Sequence, residues 1–468
     1  MDQDFHYYGA YYAARIGGNF NREDANYIAK ASNFLDFLSN EAYGGYWSIV
    51  RDTQKQPNYN YQVVAMVDYP RYTSQGGLSV GIEGGSGGLW ASYHFIPGND
   101  SDFPESSGSA KVHGEAVDEL LPAFQTRSVR SHIEAKIALL LSRPQSPLSR
   151  SLIKDTVLCF RSPERLEAIL SQAAGSKDLL QEQNKADILK RFGLMLLGAR
   201  AHVIADSWAH QDWSAADNEI NTYWDVKDNW FGRQSIDYQD IGSDWKNVVL
   251  SSLNHENLQA VPNGTTYLGH GWMGHFPDYS FVKYRYKPCW RKKDDPAFER
   301  NNPLEFQHAF LELCSLFAQT KGNLFQPKLA EDKLNAAKAA IGAPCSIADE
   351  SNCPRAHSAH QWMHEMNKVQ IGAPVDVIDV KQEPDPNAVL KGQIDYKSVL
   401  ESRYGTYYIN CTSDLYLFAI AADYHFYFVK NWLKRHNIGP DLFTGSWSDN
   451  PGPLQNSIDH LLVVAQSR

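Results

Sequence analysis

The stretch 184–215, NKADILKRFGLMLLGARAHVIADSWAHQDWSA, limits the folds open to this chain more than any other. It is apolar on nearly all sides from 192 to 209, the pattern of a helix buried in the middle of a bundle. Into that run are set His202, Asp206 and His210. A carboxylate in such a place must be neutralised, paired or bound to a metal, because an isolated desolvated charge is costly. At about 100° per residue, the spacing i, i+4, i+8 puts the three side chains within an arc of about 80°. Two imidazoles and a carboxylate on one face are a donor set that suits Zn²⁺. A hydrogen-bonded His–Asp–His core network is the alternative open to the same residues.

The remainder of the chain reads as mainly α. Helical spacing recurs at 21–42, 114–142, 146–160, 163–174, 303–320, 327–341, 356–368, 411–435 and 452–466. Asn21 is the expected N-cap of the first of these, with acidic residues in its first turn. Residues 61–69 and 89–96 are short and aromatic, and predict two strands or extended loops around the flexible GGLSVGIEGGSGG. Residues 217–300, rich in Trp, Tyr, Asn and Gly, predict a long loop region, and Pro384 and Pro386 mark a linker. The 468 residues allow two or three domains or one large helical body. The expected division is a catalytic unit over 1–290 and a helical region over 291–468 that can pack with it as one unit.

Composition narrows the function classes. The net charge of −10 makes stable nucleic-acid binding an unfavourable expectation. It leaves phosphodiester cleavage open, because metal ions supply positive charge locally. Six cysteines without CxxC spacing speak against a zinc ribbon and a dense disulfide framework, although Cys345 and Cys353 are close enough in sequence to pair. The beginning, MDQDFHYYGAYYAARIGG, lacks a basic segment followed by an apolar run, so no Sec signal is expected. No segment reaches the roughly 18 apolar residues of a membrane span. A cytoplasmic protein, or one exported without a signal peptide as a secreted effector, is the expectation.

Further ligand candidates lie outside the buried helix. LGHGWMGHFPDYS, 268–280, offers His270, His275 and Asp278 on a loop whose glycines let the backbone fold tightly around an ion. DFHYYG supplies Asp4 and His6, NFLDFL supplies Asp36, and ASYHFIPG supplies His94. His357, His360 and His364 share a helical face in AHSAHQWMHEM, which reads chiefly as a polar surface, with a further metal site as the alternative.

In this order the motifs resemble the bacterial zinc-dependent phospholipase C family, whose structural cousins include the single-strand-specific zinc nucleases. The branch that it resembles begins with a DFHYYG-like motif and lacks the export signal. The resemblance covers residues 1–285 and implies a largely helical bundle holding three zinc ions. It implies that Asp36, His94, His202 and Asp206 hold the first zinc. Asp206 then bridges to a second zinc that also contacts His6, and His210, His275 and Asp278 hold the third. The chain departs from the family in the shorter spacing from Asp206 to His210, and in HFPD where the family has HxxxE. In the family the mature N-terminal amine and carbonyl are ligands, and here Asp4 or Asp2 is the expected replacement. Asp212 and His270 are spare candidates.

The activity so implied is hydrolysis of a glycerophospholipid, such as phosphatidylcholine at a membrane surface, to diacylglycerol and a phosphorylated headgroup. Asp36 or Asp4 is the candidate general base. Tyr7, Tyr8, Trp208 and Trp213 are candidates to flank a choline cation, since ammonium groups sit well over aromatic faces, with plain core packing as the other reading of the same residues. A single-strand nuclease or other phosphodiesterase is the first alternative reading. A non-catalytic, metal-stabilised helical effector or binding protein is the second.

Overall fold

The apolar run of 184–215 forms the central helix of the protein. In the computed structural model we describe residues 1–37, 46–50, 87–98, 140–174, 184–216, 221, 237–238, 269–271, 273, 276–286, 288, 298–343, 354–378, 406–410 and 414–436. The chain begins with a π-helical turn, Asp4–Gly9, that runs into α1 (Ala10–Gly17). α2 (Arg22–Phe34) follows, then the short α3 (Gly87–Tyr93), α4 (Pro147–Arg161), α5 (Pro163–Ala174) and the central α6 (Lys185–Ala209). α7 (Asn302–Thr320), α8 (Glu331–Ile341), α9 (Pro354–Lys368) and α10 (Asp414–Arg435) complete the mainly α fold. β1 (Tyr46–Val50) pairs in parallel with β5 (Thr406–Asn410). β2 (Asp237–Tyr238), β3 (Lys283–Tyr286) and β4 (Phe298–Asn301) form an antiparallel sheet in that order.

α6 is buried from Phe192 to Ala209 without a break, as its all-round apolar surface requires. α2, α4, α7 and α10 pack around it. α2 approaches most closely at Gly198, where a Cβ would stand 2.4 Å from the Ile28 carbonyl oxygen and 2.7 Å from Ala31 Cβ. That approach brings the carbonyl of Ser32 within reach of His202. Both hydrophobic clusters combine early and late chain: Phe34, Leu196 and Val429 share one, and Tyr8, Leu197, Phe310 and Trp362 the other. The helices that follow residue 290 thus share cores with those that precede it.

Local chemistry explains the boundaries. Asn21 caps α2 by accepting from Asp24 N at 2.8 Å, and Pro147 and Pro303 open α4 and α7, where a missing N–H costs nothing. α6 ends at Ala209, earlier than the predicted 215, because Asp212 takes the left-handed φ of 76° and Trp213 N turns back to His210 O at 3.1 Å. The 89–96 stretch is a correction: it forms α3 and a turn, not a strand, with Phe95 N donating to Trp90 O at 2.8 Å. Its side chains are held by α10, through Tyr93 Oη to Ala422 O at 2.8 Å, so tertiary contact decides a segment that has no clear period of its own. The 217–300 region carries β2, β3 and the start of β4. The predicted 61–69 strand, most of the 114–142 helix, the 452–466 helix, the linker at Pro384 and Pro386, and Cys345 and Cys353 lie outside the described residues.

Candidate metal centre

Four segments around α6 send ligand-type side chains to its C-terminal half. The π-helical turn brings His6, the turn after α2 brings Asp36, the end of α3 brings His94, and the 269–280 loop brings His270 and Asp278. Among the described residues three groups of side chains could hold a metal ion: His6, Asp36 and His202; His94, His202 and Asp206; His210, His270 and Asp278. Within each group the donor atoms lie within 4.8 Å of one another.

Asp206 stands between the groups. Its Oδ1 lies 3.0 Å from His6 Nε2, and its Oδ2 lies 3.1 Å from His202 Nε2 and 3.3 Å from His94 Nδ1. Asp36 sits 3.6 Å from both His94 Nδ1 and His202 Nε2, and 3.8 Å from His6 Nε2. In the third group Asp278 Oδ1 is 3.0 Å from His210 Nε2 and 3.4 Å from His270 Nε2. Gly269, at a φ of 52°, allows the approach of that loop, because a Cβ there would lie 2.2 Å from the Phe95 ring.

The hydrogen bonds fix which nitrogen each key imidazole presents. A carbonyl only accepts, so His202 Nδ1 donates to Ser32 O at 2.9 Å and His210 Nδ1 donates to His94 O at 2.8 Å. In both rings Nε2 is left with its lone pair turned to the carboxylates, the arrangement by which proteins orient metal-binding histidines. His6 stacks on His202 with ring centres 3.7 Å apart, and neither of its nitrogens makes a hydrogen bond among the described residues.

Charge states agree with a cation site. Burial lowers the pKa of His6, His202 and His210 to about 4, so all are neutral near pH 7. Burial works to raise the carboxyls of Asp206 and Asp278, but the neighbouring histidines and the Met1 nitrogen hold both well below the usual carboxylate range. Burial, with Asp206 adding to it, raises Asp36 to about 6. A tetrahedral ion with bonds of about 2.0–2.1 Å sets its donors roughly 3.3 Å apart, and the carboxylate–imidazole separations here run from 3.0 to 3.8 Å. Neutral imidazoles, ionised carboxylates and these separations fit a metal ion.

The Met1 nitrogen lies in the same centre, 2.6 Å from Asp206 Oδ1, 3.2 Å from His210 Nε2 and 3.2 Å from Asp278 Oδ1. Burial opposes its charge, but Asp206, Asp278 and Asp36 outweigh this and raise its pKa to about 11. Neither Asp2 nor Asp4 belongs to the three groups, contrary to the expectation that one of them stands in for an N-terminal ligand. Asp2 Oδ1 accepts from Gln3 N at 2.8 Å, and Asp4 Oδ2 accepts from Ser358 Oγ on α9.

Of the expected ligands, His6, Asp36, His94, His202, Asp206, His210 and Asp278 come together. His275 lies outside the described residues, and His270 completes the third group. Asp212 is turned away to a buried ion pair, 2.5 Å from Arg143 Nη1. All four candidate aromatic residues are buried. Tyr7 and Tyr8 are core residues, with Oη donating to Asp376 O at 2.5 Å and Ile378 O at 3.3 Å. Trp208 is buried with Nε1 donating to Glu312 Oε2 at 2.6 Å, whereas Trp213 reaches the site edge, its ring 6.4 Å from that of His270. Phe95, not expected, stacks on His210 at 4.6 Å. His360 and His364 are exposed on α9 and join none of the groups.

The centre opens to solvent at one side: the Asp36 side chain is 28% exposed and His270 15%, against 0–1% for His6, His202 and Asp206. Residues 1–433 match a family described as a "Family of unknown function (DUF6765)". No curated protein and no solved structure matches the chain.

Proposed function

The chain belongs to the DUF6765 family, which brings no activity with it, and from the site we propose a zinc-dependent phosphodiesterase of the phospholipase C kind. The observation that carries this reading is the carboxylate of Asp206, which turns one oxygen to His6 and the other to His94 and His202. A carboxylate with each oxygen in a different donor set is what two neighbouring cations need between them. His6, Asp36, His94, His202 and Asp206 would hold two zinc ions, and His210, His270 and Asp278 a third.

Zinc in such a site lowers the pKa of bound water to about 7 and polarises a phosphoryl oxygen. The protein residues do the rest. Asp36, Asp206 and Asp278 repel an anionic diester unless cations offset them, so substrate entry and metal binding are coupled. Asp36 lines the open side and is ionised near pH 7, which makes it the general base. Asp4, the other candidate, is occupied by Ser358. The buried walls keep water from the remaining donors, and Phe95 and Trp213 bound the side near His210 and His270.

The test is incubation of the purified chain with phosphatidylcholine vesicles and, separately, with single-stranded DNA, each with and without chelator. The expected result is release of phosphocholine that chelator abolishes and zinc restores. DNA cleavage without lipid hydrolysis replaces the substrate class with the nuclease reading. Bound zinc without turnover of either substrate sinks the catalytic reading in favour of a metal-stabilised binding protein.

A further inference from the structure

The segment FERNN, 298–302, enters α7 through β4, and its two buried polar residues reach back to the metal centre. Arg300 Nη2 donates to Ala209 O at 2.9 Å and Nη1 donates to Gln211 O at 3.1 Å. Those carbonyls belong to the residues on either side of His210. Asn302 Nδ2 donates to Phe276 O at 2.7 Å and to Tyr279 O at 2.8 Å, with Pro277 O at 3.4 Å. Those carbonyls flank Asp278 in the same way. The two ligands so bracketed face each other, His210 Nε2 3.0 Å from Asp278 Oδ1.

We propose that Arg300 and Asn302 are positioning residues, which set the separation of His210 and Asp278 and so the affinity of the metal ion that these two share with His270. The inference rests on the metal reading above. Three physical points support it. Arg300 is kept charged and in place by Glu305, whose Oε2 lies 2.6 Å from Nη2, and its positive charge sits at the C-terminus of α6, where it is favourable. The planar fork of arginine reaches two carbonyls at a fixed distance, which a lysine ammonium cannot do. β4 pairs with β3, the strand that follows the Asp278 loop, so the clamp and the Asp278 segment are tied into one unit.

The experiment titrates zinc into metal-free, full-length protein against a chromophoric competitor, for wild type, Arg300→Lys and Asn302→Ala. His270→Ala identifies which class of site belongs to this group. The expected result is a loss of about 10–100-fold in affinity for that class alone, the size of losses from groups that orient metal ligands. Melting of the metal-free variants separates this from a general loss of stability. Unchanged isotherms in the variants, or equal weakening of every class, overturn the proposal. So does failure of both variants to fold, since it makes these residues folding determinants. A wild type that takes up no zinc overturns the metal reading itself, whereas a zinc-binding wild type with unaffected variants overturns only the clamp.

Discussion

Replacing Asp206 by Asn keeps the shape of the side chain and removes the charge that His6, His94, His202 and the Met1 nitrogen all face. An amide offers one acceptor oxygen, so it can serve one donor set and leaves the other with an N–H turned towards it. Asp206→Asn is expected to lose more than one ion in elemental analysis, and with it at least about 100-fold in phosphodiesterase rate, beyond the cost of losing a group that only orients a ligand. Full zinc content in Asp206→Asn would remove Asp206 from the centre of the site. Glu312 makes a separate prediction on stability. Burial raises its carboxyl from 4.5 to about 7, although the hydrogen bond from Trp208 Nε1 opposes this. Between those values the folded chain keeps a proton that the unfolded chain releases, so stability falls as pH rises across the window. Glu312→Gln keeps an acceptor for Trp208 and removes that dependence. It is expected to match wild type below about pH 4.5 and to exceed it above about pH 7 by on the order of 1–2 kcal/mol in urea melts. Parallel pH profiles for the two proteins would show that Glu312 is not the source of the fall.

At the scale of elements, the distance between α2 and α6 matters most, because His202 is oriented by Ser32 O on the facing helix. Gly198 sets that distance, and Gly198→Val inserts three carbons where one already meets the Ile28 carbonyl oxygen at 2.4 Å. The expected cost is about 1–3 kcal/mol in unfolding free energy, typical of overpacking, with weaker zinc binding as α2 moves away from His202. A variant as stable as wild type would show that the two helices can part without strain. The helices themselves, rather than their contacts, are what the sequence displays well. The all-round apolar run of α6 and the Asn21 cap were legible because each signal is local. The end of α6 was not, since the left-handed Asp212 is held by Arg143 and by Ser142 O, from a segment about seventy residues earlier. α3 was misread for the same reason: Tyr93 and Ser92 are anchored by Ala422 and His425 of α10, and no pattern within 87–98 reports on them.

For the whole molecule, the site was readable where chemistry resides in side chains and hidden where it resides in the backbone. His202, Asp206 and His210 stand out because ionisable groups in an apolar helix need a reason, and His6, Asp36 and His94 followed from the order of motifs. The Met1 nitrogen and the carbonyl contacts of Arg300 and Asn302 leave no trace in residue type at the accepting positions. His270 was only a spare candidate because GHGWMGH offers two histidines on one loop, and the positive φ at Gly269 that carries His270 inward is a property of the folded chain. The centre thus draws on segments from Met1 to Asp278, and the shared cores tie it to helices as far as α10. Ions bound there should therefore act as links between distant parts of the chain. Linkage gives the size: an ion that binds only the folded state adds about 2.7 kcal/mol at a free concentration of one hundred times Kd, and about 1.4 kcal/mol for each further tenfold. Chelation is therefore expected to lower the melting temperature by several degrees, and melting in zinc buffers should rise linearly with the logarithm of free zinc. The slope reports how many ions are released on unfolding, and a slope near three sites separates the full centre from a single structural ion. Calcium or magnesium at equal concentration should shift the melt far less, because imidazole-rich donor sets favour zinc over oxygen-seeking ions. A melting temperature indifferent to zinc would mean that the histidines and carboxylates form a hydrogen-bonded core network with the Met1 nitrogen as a cation within it.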